Sequence, residues 1–483
     1  MTNRDSLKPS CGCVIDRLLR HDETYIFITG AHKQSDSLSG KGYIAYNLRI
    51  GDIETKRRYS EFESFRKAMK SLYPALIIPP IPEKHSLVDY AALQIKVKDD
   101  LATIEKRKRM LQTFLNRIAK HPKLGKDHVF HQFLETNITW SDVLHSPPLN
   151  NLPKDPLKMV LSEDVQIPTH TFNPLLASNL IPAPSAAYQL KKPDPRFEES
   201  EKFTFRIANY MSNNLDKSQR KVIRRLGELA NDYAELGAVY NGFSLNESGA
   251  VANAIEKIGQ AVDAGYTETG QMVTSLEGEF AEPIQEHAQF AQIIKQTLKF
   301  RHMKHAQVEL IENVLDHKKD QLASLQNIEN EARRLEQALT RNKTIGPNAV
   351  DVDELNNPEE DYSPRSTPSP QRKSLNGGPM RVISAVGHTL QNIIDVNPEA
   401  TRRNQIGMAN DAINVLEEAL NITTKDLDVI STELQADLDR FQREKIQEMR
   451  DMLIAYAKIH IRYCQKNLES WQEARAEVDK IPI

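Results

Sequence analysis

The chain has 483 residues, of which 39% are hydrophobic and 27% charged, a composition typical of a soluble, largely helical protein with room for several domains. No apolar run approaches the ~18–20 residues of a membrane span, and the first ten residues lack the apolar segment of a signal peptide. These features exclude a membrane-spanning or secreted protein of the usual kind, and we expect a cytosolic one.

The net charge of −3 is distributed unevenly along the chain. Residues 1–140 carry 24 Lys and Arg against 16 Asp and Glu, a balance of +8, which leaves −11 for the remainder. A basic first domain predicts an anionic partner, and nucleic acid, an anionic membrane and an acidic protein all satisfy this condition.

The three cysteines are too few for a disulfide framework. Cys11 and Cys13 are separated by one glycine, whereas Cys464 lies more than 400 residues later. The Cys11-Gly-Cys13 segment lacks the second pair of ligands that a zinc site needs, so we expect no metal site and no cofactor.

Three segments predict β-strands near the N-terminus, at residues 25–29, 42–50 and 53–59. The last two are joined across Gly51-Asp52 as a hairpin. A helix follows, because Ser60 and Glu63 have the spacing of a capping box, and it ends near Tyr73, since a proline comes next. Its apolar face consists of Phe62, Phe65, Met69 and Leu72.

The junction between this strand and helix combines cations with an aromatic ring, which suits a phosphoinositide headgroup. Arg58 can donate two parallel hydrogen bonds to a ring phosphate, which a lysine cannot. Tyr59 offers a flat face for the inositol ring, and Lys84 follows as a point charge for a second phosphate.

Between them, the sequence "LIIPPIPEK" contains prolines that prevent a helix or a central strand. We therefore expect Ile77, Ile78 and Ile81 on an exposed loop tip that enters the membrane. Burial of these isoleucines in a core is the alternative.

The second half of the chain is organised differently. Residues 147–195 hold ten prolines and predict an extended linker. Long helices follow from Phe197 to about Arg341, with a turn at residues 242–249 and a kink at Pro283. Residues 344–379 are polar and rich in proline, so we expect them to be disordered.

Helix returns from about Pro398 to Lys480, with one apolar stripe of Leu416, Leu420, Leu427, Ile430, Leu434, Leu438 and Phe441. Eighty helical residues would extend about 120 Å, far beyond a compact domain. An elongated coil that pairs with a second chain is the natural way to cover such a stripe.

A shorter amphipathic segment, residues 380–396, lies between the polar insertion and this last helix. Its apolar face consists of Val382, Val386, Leu390, Ile393 and Ile394. Two interpretations stay open: an interfacial membrane helix, or the first turns of the last helix packed in a dimer core.

The motifs "RRYSEF", "YPALIIPPIPEK" and "EKRKRMLQTFLNRIAKHP" resemble a Phox-homology (PX) domain of a sorting nexin over roughly residues 12–138. The long helices resemble a BAR domain, and the whole chain is similar to fungal PX-BAR sorting nexins of autophagy and endosomal recycling. The resemblance implies that Arg58 and Tyr59 hold the 3-phosphate and the inositol ring. It also implies that Lys84 contacts the 1-phosphate and that Arg107 binds the 4- and 5-hydroxyls.

The predicted fold class is a multidomain chain in which an α+β PX domain precedes an all-α, elongated BAR-type coil with a disordered insertion. The predicted segments are a disordered N-terminus (1–11), the PX domain (12–138), a proline-rich linker (139–195), BAR helices 1 and 2 (196–343), the insertion (344–379), the amphipathic segment (380–396) and BAR helix 3 (397–483).

The function implied is that of a peripheral membrane adaptor that binds phosphatidylinositol 3-phosphate on curved membranes as a BAR dimer. We expect it on endosomes and the pre-autophagosomal structure, paired with itself or, as the resemblance favours, with another sorting nexin. The alternative is a coiled-coil scaffold whose basic domain binds acidic proteins. Aromatics are not interleaved through the basic clusters, so nucleic acid is not an expected partner, and no nucleotide-binding or hydrolase motif indicates an enzyme.

Overall fold

The computed structural model describes residues 11–21, 24–35, 42–83, 101–161, 172–343 and 398–482. The N-terminal elements are α1 (Val14–Leu19), β1 (Ile26–Ser35), β2 (Gly42–Ile50), β3 (Ile53–Arg58), α2 (Tyr59–Leu72), α3 (Leu101–Lys120), α4 (His128–Leu134) and α5 (Trp140–Leu144). The later helices are α6 (Pro195–Asn209), α7 (Lys217–Ser244), α8 (Gly249–Leu276), α9 (Glu282–Lys343) and α10 (Pro398–Val478).

The three strands form an antiparallel sheet in the order β1-β2-β3, and the predicted hairpin is confirmed. Ile50 pairs with Ile53 across a tight turn in which Gly51 has φ +54°, a left-handed conformation that glycine adopts without strain. The first strand is longer than the sequence indicates, because it continues past a register shift between Ile28 and Gly30 to Ser35.

Helix α2 packs its predicted apolar face into the core, where Phe62, Phe65, Met69 and Leu72 are all buried. The predicted capping box of Ser60 and Glu63 is wrong. Strand β3 ends at Arg58, so the helix begins at Tyr59, and it is Glu61 that accepts a hydrogen bond from the Arg58 backbone N–H at 2.7 Å.

The core of the N-terminal domain extends into the predicted linker. The rings of Phe65 and Phe133 stack with centroids 4.4 Å apart, and the ring of Trp140 meets Phe65 edge-on at 5.6 Å. The indole Nε1 of Trp140 donates to the Ser64 hydroxyl at 2.6 Å, and Val143 is also buried. The core therefore does not end at residue 138, because an aromatic anchor on α5 completes it.

The chain divides into two units, residues 1–309 with 421–483, and residues 310–420. In the larger unit, α7 and α8 are joined by the predicted turn, and a π-helical turn at Glu277–Ala281 precedes Pro283, where a kink was expected. In the smaller unit, the carboxylate of Glu329 accepts from the side chains of Arg333 and Arg402, at 3.2 Å and 3.0 Å.

The apolar stripe predicted for the last helix faces inward, since each of its seven members is buried or half-buried. Within the described ranges, no helix has both the length and the apolar character needed to cross a bilayer.

The proline-rich segment is not simply extended, because its middle part packs on the long helices. Met159 and Val160 are buried, and the backbone N–H of Leu161 donates to Asp426 on α10 at 3.0 Å. The same carboxylate accepts from Lys304 on α9 at 3.0 Å, and neither side chain of that ion pair is exposed to solvent.

Candidate functional site

The two arginines at the end of β3 lie on opposite faces of the strand, as alternation requires. Arg57 is 6% exposed, and its guanidinium donates to the carbonyl oxygens of Phe133 at 2.9 Å, Glu135 at 3.0 Å and Ile138 at 3.2 Å. Burial lowers the pKa of Arg57 from its ordinary value. Arg57 therefore holds the C-terminal end of α4, and its guanidinium is directed at backbone carbonyls of the domain.

Arg58 is exposed and occupies the N-cap position of α2. Its guanidinium carbon lies 5.9 Å from the ring centroid of Tyr43, and it forms no ion pair with any carboxylate in the described part of the chain. The N-terminus of a helix carries unpaired N–H groups and a partial positive charge, both of which favour an anion. Arg58 is thus a free cation at a position suited to phosphate.

Tyr59 and Arg107, two of the residues expected in the headgroup site, lie against each other. The guanidinium carbon of Arg107 on α3 is 4.9 Å from the Tyr59 ring centroid, and Arg107 is 9% exposed. Burial, opposed by the Arg107 charge, raises the pKa of Tyr59 to about 12, so its hydroxyl remains a donor, and it donates to the Pro82 carbonyl. The Arg107 cation is therefore held on the ring of the residue that follows Arg58 in the chain.

The loop after α2 is held in place by hydrogen bonds that side chains donate to its carbonyls. Besides the bond from Tyr59 to Pro82, the half-buried Arg66 side chain donates from Nε to the Pro79 carbonyl at 2.7 Å. Proline residues cannot donate, so these carbonyls are the polar groups that such a loop offers. Lys84 follows this loop directly but lies outside the described residues, as do Val382, Val386, Leu390, Ile393 and Ile394.

The prediction that Ile77, Ile78 and Ile81 form an exposed tip is wrong for this structure. Ile77 and Ile78 are each 1% exposed, and Ile81 is half-buried against the core of the N-terminal domain. Ile78 belongs to that core, whereas Ile77 enters an apolar cluster of the long helices that includes Phe290 and Leu434. The isoleucines are covered by protein on both sides of the loop, because the helical region supplies a second apolar surface.

A polar contact accompanies the packing of Ile77 against the long helices. The backbone N–H of Ile77 donates to one carboxylate oxygen of Asp437 on α10 at 2.7 Å, and His121 Nε2 lies 3.1 Å from the other oxygen. Burial opposes the charge on Asp437, yet the bonds from His121, Arg440 and the Ile77 backbone hold its pKa below the ordinary value.

The basic face of α3 is paired with acidic residues of the long helices, which the sequence analysis missed. Arg117 binds Glu286 through two 2.8 Å hydrogen bonds and Glu448 through bonds of 2.5 Å and 3.0 Å. Arg109 forms a similar two-bond pair with Glu282. The opposite net charges of the two halves were a signal for this contact: part of the anionic partner expected for the basic domain is the chain itself.

The expectation of no metal site rested on a missing second ligand pair, and the structure supplies one. His128 and His131 lie beside Cys11 and Cys13, and the four ligand atoms are within 4.8 Å of one another. No local pattern could have revealed this, because the two pairs are more than 110 residues apart.

Comparisons with known proteins agree with this architecture. The PX domain family matches residues 51–137. The chain is 41% identical to Sorting nexin-41 of Cryptococcus neoformans var. neoformans serotype D, strain JEC21, over 98% of its own length and 75% of that protein. It is 34% identical to Autophagy-related protein 20 of Gibberella zeae, over 96% of this chain and 85% of that protein.

A solved structure is similar over nearly the whole chain. It is the cryo-EM structure of the SNX-BAR Mvp1 tetramer, with a TM-score of 0.51 and 13% identity over 93% of this chain and 99% of that one. This likeness in fold confirms the predicted class, a PX domain followed by BAR-type helices.

Proposed function

Because the chain belongs to the sorting nexin family, we propose that it binds phosphatidylinositol 3-phosphate through Arg58, Tyr59 and Arg107, with Lys84 as a further contact. Family membership makes the chain a membrane-sorting adaptor that attaches peripherally, and not an enzyme. The proposal extends this to endosomal membranes in protein recycling and to the pre-autophagosomal structure in autophagy.

The main support for the proposal is that some arginines of the N-terminal domain form ion pairs and others do not. Arg109 and Arg117 are neutralised by carboxylates of the helical region. Arg58 and Arg107, by contrast, pair with no carboxylate of the described residues; Arg107 packs on the ring of Tyr59, and Arg58 is the residue that precedes Tyr59 in the chain. One such cation at a helix N-terminus, followed in the chain by a tyrosine on whose ring the other packs, suits a phosphorylated inositol.

The test is flotation of the full-length protein with liposomes that contain or lack phosphatidylinositol 3-phosphate. Hydrogen bonds to a charged group contribute about 1.5–3 kcal/mol, so Arg58→Ala should weaken the lipid-dependent binding about 10- to 100-fold. Arg58→Lys keeps the charge but loses the two-pronged geometry and should give an intermediate loss.

Arg49→Ala is the matched control, because Arg49 is also exposed and lies at a similar distance, 5.6 Å, from an aromatic ring. Equal losses for Arg58→Ala and Arg49→Ala would contradict the assigned site. Binding that ignores phosphatidylinositol 3-phosphate altogether would instead favour the alternative, a scaffold for acidic proteins.

The second part of the proposal is assembly with a second sorting nexin chain, either another copy or a different member. Helix α7 exposes apolar side chains at intervals of seven residues, and so does the end of α10. The α7 stripe consists of Val222, Leu229, Leu236 and Phe243, and the α10 stripe of Ile454, Ile461 and Leu468. Such regular stripes in water are costly for a lone chain and typical of helices that pair.

We expect Leu236→Glu combined with Phe243→Glu to weaken this assembly. The loss of two apolar contacts of about 1.5–3 kcal/mol each corresponds to roughly a 10²- to 10⁴-fold higher dissociation constant in analytical ultracentrifugation. Ile328→Glu is the control, since Ile328 is comparably exposed at 51% but lies on α9, outside both stripes. A wild-type chain that stays monomeric alone and with co-expressed sorting nexins would refute the assembly.

A further inference from the structure

Two cysteines and two histidines from distant parts of the sequence converge at one edge of the N-terminal domain. Cys11 and Cys13 immediately precede α1, and His128 and His131 lie three residues apart on the first turn of α4, so they share one helical face. The sulfur atoms are 3.3 Å apart, and the Nδ1 atom of His131 is 3.2 Å from the Cys11 sulfur and 3.5 Å from the Cys13 sulfur.

These distances match the edges of a metal coordination tetrahedron. Bonds of about 2.3 Å from zinc to sulfur and about 2.0–2.1 Å from zinc to nitrogen place neighbouring ligand atoms roughly 3.3–3.8 Å apart. A disulfide does not explain the pair of cysteines, because its sulfur atoms would be about 2.05 Å apart.

The surrounding backbone orients the ligands. Gly12 has φ +68°, which lets the chain turn between the two cysteines, and the Asp16 N–H donates to the Cys13 sulfur at 3.3 Å, a contact that favours a thiolate. Nε2 of His131 lies 2.9 Å from the Gly125 carbonyl oxygen. A carbonyl can only accept, so Nε2 carries the proton and Nδ1 presents its lone pair to the two sulfurs.

We propose that Cys11, Cys13, His128 and His131 bind one zinc ion as a structural Cys2His2 site. Thiolate and imidazole ligands favour zinc over magnesium or calcium, and four protein ligands leave no open position for catalysis. Two thiolates balance the charge of Zn²⁺, which suits a site whose His131 is fully buried. Cys11 and His128 are exposed, so the ion has a route in from solvent.

The ion would hold α4 at its N-terminal end, opposite the contact made by Arg57. Arg57 donates to the carbonyls of Phe133 and Glu135 at the other end of α4, and it is the direct neighbour of Arg58 in β3. The zinc site thereby joins the start of the domain to the helix that supports the strand carrying Arg58. Its chemistry does not depend on the proposed lipid, so either proposal can fail without the other.

The experiment measures the metal content of the full-length protein, purified under reducing conditions without a histidine tag, by inductively coupled plasma mass spectrometry. We expect about one zinc per chain in the wild type, and its loss in the double variant Cys11→Ser, Cys13→Ser. Cys464→Ser is the matched control and should keep its zinc, because Cys464 is an exposed thiol on α10, far along the sequence from the cluster.

A variant at the exposed histidine keeps the test valid if the double variant does not fold. His128→Ala removes one ligand without opening the core and should release zinc to a competing chelator at least about tenfold more readily than the wild type. In the cobalt-substituted protein, a thiolate-to-cobalt charge-transfer band should appear in the wild type and Cys464→Ser and be absent from the double variant. A wild type that takes up neither metal, or zinc retained equally in the double variant, would overturn the proposal.

Discussion

Asp437 is the residue at which the apolar loop of the N-terminal domain is most directly bound to the long helices, and Asp437→Ala should release that loop. The Asp437 side chain is 3% exposed and accepts hydrogen bonds from the Ile77 backbone, His121 and Arg440. Alanine leaves the Ile77 N–H and the His121 ring without their partner in a buried contact. Arg440 retains Glu444, at 2.8 Å and 2.9 Å.

The magnitude follows from the two donors that lose their acceptor. A buried polar group without a partner costs about 1–3 kcal/mol, so the contact should weaken by about 2–6 kcal/mol. Even the lower figure makes the open state about 30-fold more populated, since 1.4 kcal/mol corresponds to a factor of ten.

Amide hydrogen exchange of the full-length protein, followed by mass spectrometry, reads this opening directly. The Ile77 N–H exchanges only after it leaves Asp437, and Pro79, Pro80 and Pro82 contribute no amides to a peptide spanning residues 75–82. Exchange at this peptide should accelerate about 30-fold or more in Asp437→Ala.

Asp439→Ala is the matched control for this experiment. Asp439 is exposed two residues further along α10 and accepts from Gln435 at 3.0 Å, so its loss should change little. If exchange at the peptide with Ile77 is the same in Asp437→Ala and Asp439→Ala, the carboxylate is not what holds the loop, and the reasoning fails.

Three further predictions concern titratable groups that are buried or half-buried in the larger unit. Lys304→Ala leaves Asp426 buried without its ion-pair partner and should cost about 3–5 kcal/mol of stability in urea unfolding. Lys304→Met with Asp426→Asn removes both charges and keeps an acceptor for the Leu161 N–H, so it should restore part of this loss; no recovery would contradict the pairing. Burial lowers the pKa of His287 from 6.5 to about 4, so the unfolded chain takes up a proton at this residue before the folded chain does. The free energy of unfolding should therefore be unaffected by His287 above pH 6.5 and fall by about 2 kcal/mol at pH 5. Urea unfolding of His287→Leu should lack this part of the pH dependence. Arg117→Met should leave the Glu286 and Glu448 carboxylates facing each other and accelerate exchange in α3 about 100-fold; exchange rates like those of the wild type would show that the four hydrogen bonds do not hold the domain.

Interactions between near neighbours in the sequence determined the parts of the fold that were predicted well. The spacing of Phe62, Phe65 and Met69 defines the buried face of α2 wherever the helix packs, and Gly51 permits the hairpin turn by its own backbone freedom. The alternation of a strand likewise explains why Arg57 lies inward and Arg58 outward, and the sequence analysis selected Arg58 from its fit to a phosphate and from the family resemblance.

The tertiary structure decided the features that depend on which surfaces meet. A proline-rich apolar loop has the same local pattern whether a bilayer or a helix covers it, and only the presence of Phe290 and Leu434 shows that Ile77 is buried by protein. Cys11 and Cys13 gave no sign of their second ligand pair, because the packing of α4 against the start of the domain brings His128 and His131 to them. The periodicity of a sequence indicates which face of an element is buried, but it does not indicate what lies against that face.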